Sequence, residues 1–194
     1  TLSSSLSLGP DALSTIENTD TAQVTVTGVS DAEENSPFNL SVALSAPVDA
    51  AVAVQLSTLD IGSATGGGVD YADVVNQLVS FPALSTTPIL VPVSIIDESV
   101  VEVDEDFAAS LSGLSSTLSA SLSLGPDALS TIQNTDTAQV TVTGVSDAEE
   151  NSPFNLSVAL SAPVDAAVTV QLSTLDIGSA TGGGVDYADV VNQL

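Results

Sequence analysis

Carboxylates carry all of the side-chain charge in this sequence. Its 194 residues include 25 Asp plus Glu and no Lys, Arg or His, for a formal net charge of −25. The densest acidic run is 97–106, with six acids in ten residues. Hard cations such as calcium bind six to eight oxygen ligands, among which carboxylates are prominent. Convergent acids with no basic partner leave two interpretations open, a cation site or a set of solvated acidic loops.

The absent residue types exclude most classes of enzyme. Without Cys, His or Lys, the chain cannot build Ser-His-Asp or Cys-His nucleophiles, Schiff-base lysines or Cys/His zinc sites. It also cannot neutralise phosphate, so we expect no nucleic-acid partner and no attraction to an anionic membrane. Paired carboxylates could serve a glycosidase, but such an enzyme needs a cleft and these acids lie in loops. We therefore expect no enzyme activity.

The elements that must position the acids are β-strands. Hydrophobic residues make up 43% of the chain, too many for a disordered acidic chain. Short apolar/polar alternations, separated by Gly, Pro, Asn and Asp, predict about seven strands per unit and an all-β, immunoglobulin-like antiparallel β-sandwich. The residues predicted to face inward are Phe38, Leu40, Val42, Leu44, Val52, Val54, Ile89, Val91, Val93 and Phe107. Pro88 and Pro92 predict an edge position for their strand, because proline cannot donate to a sheet.

The sequence repeats itself almost without change. Residues 1–78 recur as residues 117–194, with differences only at Ser4/Ala120, Glu17/Gln133 and Ala53/Thr169. We predict that 1–21 is the tail of a preceding unit, 22–137 a complete domain and 138–194 the N-terminal part of the next. The absence of an initiator Met and of an apolar run of 18 residues favours an excerpt of a longer tandem array with no membrane-spanning helix.

Several motifs, in order and spacing, resemble the Calx-beta domain over the whole unit. They are Glu34-Asn35, Gly68-Val-Asp-Tyr71, Ile95-Ile-Asp-Glu98 and Glu102-Val-Asp-Glu105 followed by Phe107. The family is known from sodium/calcium exchangers and from large bacterial surface proteins. The resemblance implies a seven-stranded sandwich that binds several calcium ions at one end.

The resemblance also implies which acids bind calcium. The matching residues in the complete unit are Glu34, Asp70, Asp97, Glu98, Glu102 and Asp136, and those in the incomplete unit are Glu150 and Asp186, while Asp20 repeats Asp136. Glu33 is an alternative to Glu34, since the two are neighbours in a loop. Two positions depart from the family's pattern. Glu98 stands where the family has a second Asp, and it is longer but still a ligand type. The terminal acidic cluster is thinned to 134–136, which implies fewer ions or weaker binding.

Two other features have simpler structural explanations. Tyr71 and Tyr187 are predicted to be core or corner residues rather than catalytic or ligand-stacking groups. The glycines at 66–68 do not open a helix and lack the lysine of a phosphate-binding loop. We predict a flexible loop beside Asp70.

These patterns together predict a structural or adhesive protein of the cell exterior. We expect a stalk or filament of Calx-beta-like units that calcium stiffens, with neighbouring repeats and other copies in a fibre as partners. We expect no direct insertion into a membrane. The alternative is a calcium-sensing regulatory module, as the exchanger domains are.

Overall fold

Strands form over most of the alternating segments of the chain. The computed structural model describes residues 9–34, 36–146, 148–149 and 152–193. Nine strands lie in the first repeat unit: β1 (Ala22–Thr27), β2 (Ala32–Glu33), β3 (Phe38–Leu44), β4 (Val52–Leu59), β5 (Gln77–Phe81), β6 (Ile89–Val93), β7 (Glu105–Ser115), β8 (Leu122–Leu124) and β9 (Ala128–Gln133). Two more follow: β10 (Val140–Thr143) and β11 (Ser157–Leu160).

The first nine strands make two sheets, which confirms the predicted β-sandwich. One sheet has the order β6-β3-β1-β8 and the other β2-β9-β7-β4-β5. Neighbouring strands are antiparallel except in two short pairs, β1 with β8 and β2 with β9. The final segment splits at Gly125 and Pro126, where proline removes a backbone donor, so that β8 joins one sheet and β9 the other.

An aliphatic core with a small aromatic cluster fills the space between the sheets. All of the predicted inward residues are buried except Ile89, which is half-buried and packs against the core. Tyr71 is fully buried and stacks on Phe107 at a centroid distance of 4.3 Å, and Phe38 lies 5.8 Å from the same ring. The prediction that Tyr71 belongs to the core is confirmed.

A proline lies in the edge strand β6, and a residue in a left-handed conformation precedes β5. β6 is an edge strand, as predicted, and its Pro92 pairs with Asn39 of β3. The sequence pattern predicts that β5 begins at Val74, but it begins at Gln77. Asn76 has a φ of 49°, a left-handed conformation that interrupts the extended chain.

The second repeat unit keeps a local hairpin but not a closed core. β10 pairs with β11 in the register of β1 with β3, since Val140 faces Leu160 as Val24 faces Leu44. Val140 is nevertheless 37% exposed, whereas Val24 is fully buried. In the described part of the chain no second sheet covers β10 and β11. The described residues also include no helix with the length and apolarity to cross a bilayer.

Candidate metal centre

The strand order places most of the predicted acids at one end of the sandwich. Strands β3 and β7 begin at this end, and β4, β6 and β9 finish there. The connecting segments that meet at this acidic end carry Glu34, Asp70, the run 97–106 and Asp136. Glu34 and Thr135, which are 101 positions apart in the sequence, therefore become neighbours.

Backbone hydrogen bonds hold Asp70 against the acidic run. Tyr71 pairs with Ile95 in an antiparallel bridge, and the Ile96 amide donates to the Asp70 carbonyl at 2.9 Å. The Asp70 carboxylate in turn accepts from the Thr65 amide. Hydrogen bonds thus hold Asp70 through both its carbonyl and its carboxylate. Its backbone partner Ile96 immediately precedes the 97–106 run.

The glycine loop beside Asp70 is closed by hydrogen bonds, in contrast to the flexible loop that the sequence predicts. The Gly66 amide donates to Asp60 Oδ1 at 3.0 Å, and the Tyr71 hydroxyl donates to the same oxygen. A Cβ atom at Gly66 would lie only 1.9 Å from Asp73 Oδ1. A side chain at this position would displace the Asp73 carboxylate. Asp60 is a structural acceptor that the sequence patterns did not indicate.

Glu34 is the most deeply buried acid of the site, with 7% of its surface exposed. The parallel pairing of β2 with β9 brings it beside the end of β9, where its Oε2 accepts from the Thr135 amide at 3.3 Å. Glu33, the alternative ligand, is exposed. Glu34 immediately follows the two-residue strand β2, and the alternation of buried Ala32, exposed Glu33 and buried Glu34 directs Glu34 rather than Glu33 into the site.

The acids converge into two groups that share one member. Glu34, Glu98 and Glu102 form the first group, and Asp70, Glu102 and Glu105 the second. In each group one carboxylate oxygen per residue lies within 4.8 Å of the others. Oxygens on opposite sides of a calcium ion lie about 4.6–5.2 Å apart, so each group has the spacing of a calcium site. Glu102 would bridge two ions.

The electrostatic environment makes ionisation of these acids unfavourable without a cation. Burial, followed by the hydrogen bond and charge of Glu98, raises the pKa of Glu102 from 4.5 to about 7. Burial, followed by the hydrogen bond and charge of Asp70, raises the pKa of Glu105 to about 7 as well. Burial also raises the pKa of Glu34, and the charges of Asp136, Glu98 and Asp97 add to the effect. A divalent cation would reverse these effects, because it favours the charged form.

Among the residues that the structure describes, two buried side-chain oxygens have no hydrogen-bond partner, and both belong to this end of the sandwich. They are Glu105 Oε2 and Asp136 Oδ2. A buried acceptor without a partner costs free energy, and most such groups in folded proteins are paired. Hard oxygen donors that converge in this way fit calcium, and a bound ion would satisfy them.

Asn134 orders the terminal part of the site. Its side-chain amide donates to the Val100 carbonyl at 3.2 Å, and its Oδ1 accepts from the Asp136 amide at 2.9 Å. In the thinned terminal cluster, Asn134 thus stands in place of an acid and links the end of β9 to the acidic run. Asp97 is exposed and, like Asp136, acts on Glu34 through its charge.

Four predicted residues that the structure describes, Asp97, Asp136, Asp186 and Asp20, belong to neither acid group. Asp186 keeps the local arrangement of Asp70, since it accepts from the Thr181 amide at 2.8 Å, but it is exposed and belongs to neither acid group. Asp20 is exposed, and its amide donates to Asn18 Oδ1 as the Asp136 amide donates to Asn134 Oδ1. Glu150 lies outside the described residues.

Glu105 is the acid that the ligand prediction missed. It lies two residues before Phe107 at the start of β7, and alternate residues of β7 point into the sandwich. The same period of two that identified Phe107 as an inward residue therefore also indicates Glu105.

Comparisons with known proteins agree with the fold. The sequence profile of the Calx-beta domain matches residues 15–142 and again residues 131–194. The fold is similar to the crystal structure of the apo form of the Calx CBD1 domain, with 24% identity and a TM-score of 0.52, over 60% of this chain and 100% of that one. It is also similar to the calcium binding domain CBD12 of CALX1.1, with 24% identity and a TM-score of 0.50.

That second similarity covers 58% of this chain and 44% of the CALX1.1 chain, so this chain spans less than half of its length. A search of curated proteins gives no match. The family match extends over most of the sequence, and the structure has the β-sandwich that the motifs imply. The chain belongs to the Calx-beta domain family.

Proposed function

We propose that this chain is part of an extracellular structural protein, a stalk or filament of Calx-beta units that calcium stiffens. The observation that carries the calcium function is the pair of acid groups that share Glu102, within 4.8 Å spacing and with no basic residue in the chain to neutralise them. The near-identity of residues 1–78 and 117–194 supports a role in which length matters. The domain limits 1–21, 22–137 and 138–194 are part of this proposal.

Calcium acts in this proposal by removing repulsion at the acidic end. Without a cation, Glu34, Glu102 and Glu105 are ionised near neutral pH only at a cost, and the loops that carry them repel one another. A ligand that binds only the folded state stabilises it by about 2.7 kcal/mol when present at about 100 times its dissociation constant. Extracellular calcium modules typically bind at about 10⁻⁴–10⁻³ M, which suits a calcium-rich exterior.

Thermal unfolding of the full chain tests this proposal. We expect millimolar calcium, compared with chelator at equal ionic strength, to raise the midpoint by about 10 °C for one well-occupied site. Glu102→Gln should abolish most of the rise, because it removes the acid that both groups share. Equal midpoints in calcium, magnesium and chelator would contradict a specific calcium site.

The chain supplies its own control for this experiment. Asp70 and Asp186 have the same local sequence and accept the same loop hydrogen bond, but only Asp70 belongs to one of the two acid groups. Asp70→Asn should therefore reduce the calcium-induced rise, and Asp186→Asn should leave it unchanged. If both variants lost the rise equally, the acid groups described above would not be the binding site.

A calcium-sensing regulatory module is the second candidate function. Membership of the Calx-beta family supports it, because the family is also known from sodium/calcium exchangers. Intracellular sensors bind calcium at about 10⁻⁷–10⁻⁵ M. Calorimetric titration of the full chain separates the two functions, since a dissociation constant near 10⁻³ M suits a stalk and one near 10⁻⁶ M suits a sensor.

A further inference from the structure

Three of the four edge strands of the sandwich carry features that discourage pairing with another chain. β2 has two residues and β8 has three, and very short edge strands offer few backbone groups for pairing. β6 contains Pro92 and begins directly after Pro88, and prolines on an edge strand have the same effect. The fourth edge strand, β5, has five residues without proline or charge, and its register with β4 is continuous. The free edge of β5 is therefore open to a further strand.

β5 and β6 border a groove of about 370 Å³ at this side of the sandwich. Val75, Leu78 and Leu90 line this β5–β6 groove, and they are 70, 63 and 61% exposed. Leu78 and Leu90 lie on the outer faces of their strands, since their neighbours Val79 and Val91 are buried. An antiparallel sheet usually carries polar residues on a solvated face, and exposed apolar side chains that lie together mark interaction sites. The β5–β6 groove thus has the composition of a docking surface.

The strands that border the groove belong to the longest stretch of the chain without an acid, residues 74–96. Among the described residues, Asp73 is the only acid that lines the groove, and it precedes β5 on the side of the acidic end. The chain has a net charge of −25 and no basic residue, so two copies repel each other wherever their acidic loops meet. A partner at the groove must be uncharged and must offer a strand edge. The same side of a second copy meets both requirements.

We propose that the β5–β6 groove joins two copies of the chain, with β5 of one copy paired antiparallel to β5 of the other and the apolar residues of the two grooves packed together. Backbone hydrogen bonds along the joined edges supply affinity, as in other cases of strand addition. The inference goes beyond the calcium function and does not require it. It specifies the surface through which stalks of the proposed extracellular protein associate side by side.

Charge sets the direction of this pairing. β5 begins at the acidic end, where Glu34, Asp70 and the run 97–106 lie. Parallel pairing would bring the acidic ends of two copies together, whereas antiparallel pairing places them at opposite ends of the pair. The contact uses the same surface on both copies, and such a contact closes on itself. Two chains therefore satisfy it, and the pairing does not continue to a third chain across this edge.

Sedimentation velocity of the full chain in chelator tests the proposal. We expect a monomer–dimer equilibrium whose dissociation constant falls at least about tenfold when the ionic strength rises from about 0.1 to 1 M, because the range of charge repulsion shrinks from about 10 to about 3 Å. A chain that stays monomeric at both ionic strengths, or an association that weakens with salt, would overturn the proposal. Because no calcium is present, such a failure leaves the proposed calcium function standing.

The repeat supplies a matched pair of variants. Val75 and Val191 have the same local sequence and are 70 and 71% exposed, but only Val75 lines the β5–β6 groove. Val75→Glu should weaken dimerisation at least about tenfold, because it places like charges in the contact, and should leave the unfolding midpoint unchanged. Val191→Glu should leave the dissociation constant unchanged. If Val191→Glu weakens association as much as Val75→Glu, the copies associate through the second unit and the proposal is wrong.

Cross-linking tests the direction of pairing, because the chain contains no cysteine of its own. Leu78→Cys lies beside the centre of β5, so a short thiol-reactive reagent should join it to the same position of the second copy. Thr86→Cys lies beyond the end of β5 and should not be joined, because antiparallel pairing places the two positions at opposite ends of the pair. Dimers without cross-linking at position 78 would contradict the β5 contact, and cross-linking at position 86 would contradict the antiparallel arrangement.

Discussion

The fold holds Glu102 and Glu105 in an environment where their ionisation is unfavourable. Both side chains are partly buried near other carboxylates, and their pKa values are raised from 4.5 to about 7. The shift is larger than that of an acid on an open surface, because burial and like charge act in the same direction. A bound cation would favour the ionised form of both acids.

This shift predicts an unusual pH dependence in the absence of calcium. Because the folded-state pKa values are raised, the folded chain binds more protons than the unfolded chain between about pH 4.5 and 7. Stability is then greatest below pH 4.5 as far as these groups are concerned, and falls as the pH rises through 7. Chemical denaturation in chelator should show this fall, and Glu102→Gln should reduce it. A stability that rises over this range would contradict the raised pKa values.

Calcium should reverse the trend. Carboxylates must be deprotonated to bind metal, so the calcium affinity should increase as the pH rises from 5 to 7.5. Calorimetric titration at several pH values should show this increase together with proton release near pH 6. Affinity that is independent of pH would indicate that Glu102 and Glu105 do not take part.

At the scale of elements, the glycine loop is joined to β7 through one tyrosine. The ring of Tyr71 stacks on Phe107 of β7, and its hydroxyl bonds to Asp60, which also accepts from the Gly66 amide. The loop that positions Asp70 is therefore attached to the hydrophobic core. A flexible loop would hold the carboxylate less firmly and bind calcium more weakly.

Tyr71→Phe should loosen this attachment without disturbing the stack of rings. We expect the free energy of unfolding to fall by about 1 kcal/mol for the lost hydrogen bond, with a modest loss of calcium affinity. Tyr187→Phe removes the same bond to Asp176 in the second unit, where no closed core depends on it. It should leave the unfolding transition unchanged, and a similar loss in both variants would contradict the role assigned to Tyr71.

At the scale of the whole molecule, one sequence occurs in two environments. The segment around Phe38 is repeated around Phe154, and Phe38 is 8% exposed whereas Phe154 is 48% exposed. The difference arises because β4, β6 and β7 cover the first copy, and no such strands cover the second among the described residues. The register of the strand pair is the same in both copies because it is set locally. The burial differs because it depends on the other strands.

Limited proteolysis should detect this difference. Chymotrypsin meets the same local sequence at both phenylalanines, so any preference reflects protection by structure. We expect cleavage after Phe154 to be at least about 100-fold faster than after Phe38, because cleavage in a closed core requires its opening. Mass spectrometry of early fragments provides the measurement, and equal rates would contradict the closed and open states of the two copies.

The sequence by itself determined the strands, the fold class and most of the acids of the site. Alternation identified the inward face of β3, because the period of two is a local property of an extended chain. Pro88 and Pro92 identified the edge position of β6, because proline cannot donate to a neighbouring strand. Motif spacing brought Glu34, Asp70, Glu98 and Glu102 into one prediction, and the structure places all four at one end. Whether they bind calcium remains a prediction.

Only the tertiary structure decided which acids meet. It selected Glu34 over Glu33, added Glu105, and left Asp186 outside both acid groups, because these outcomes depend on strands far apart in the sequence. It also brought Asp165 to Val101, a contact between repeats that no pattern within one repeat can indicate. Local periodicity sets the direction of a side chain relative to its own strand, whereas the arrangement of strands sets what that side chain faces.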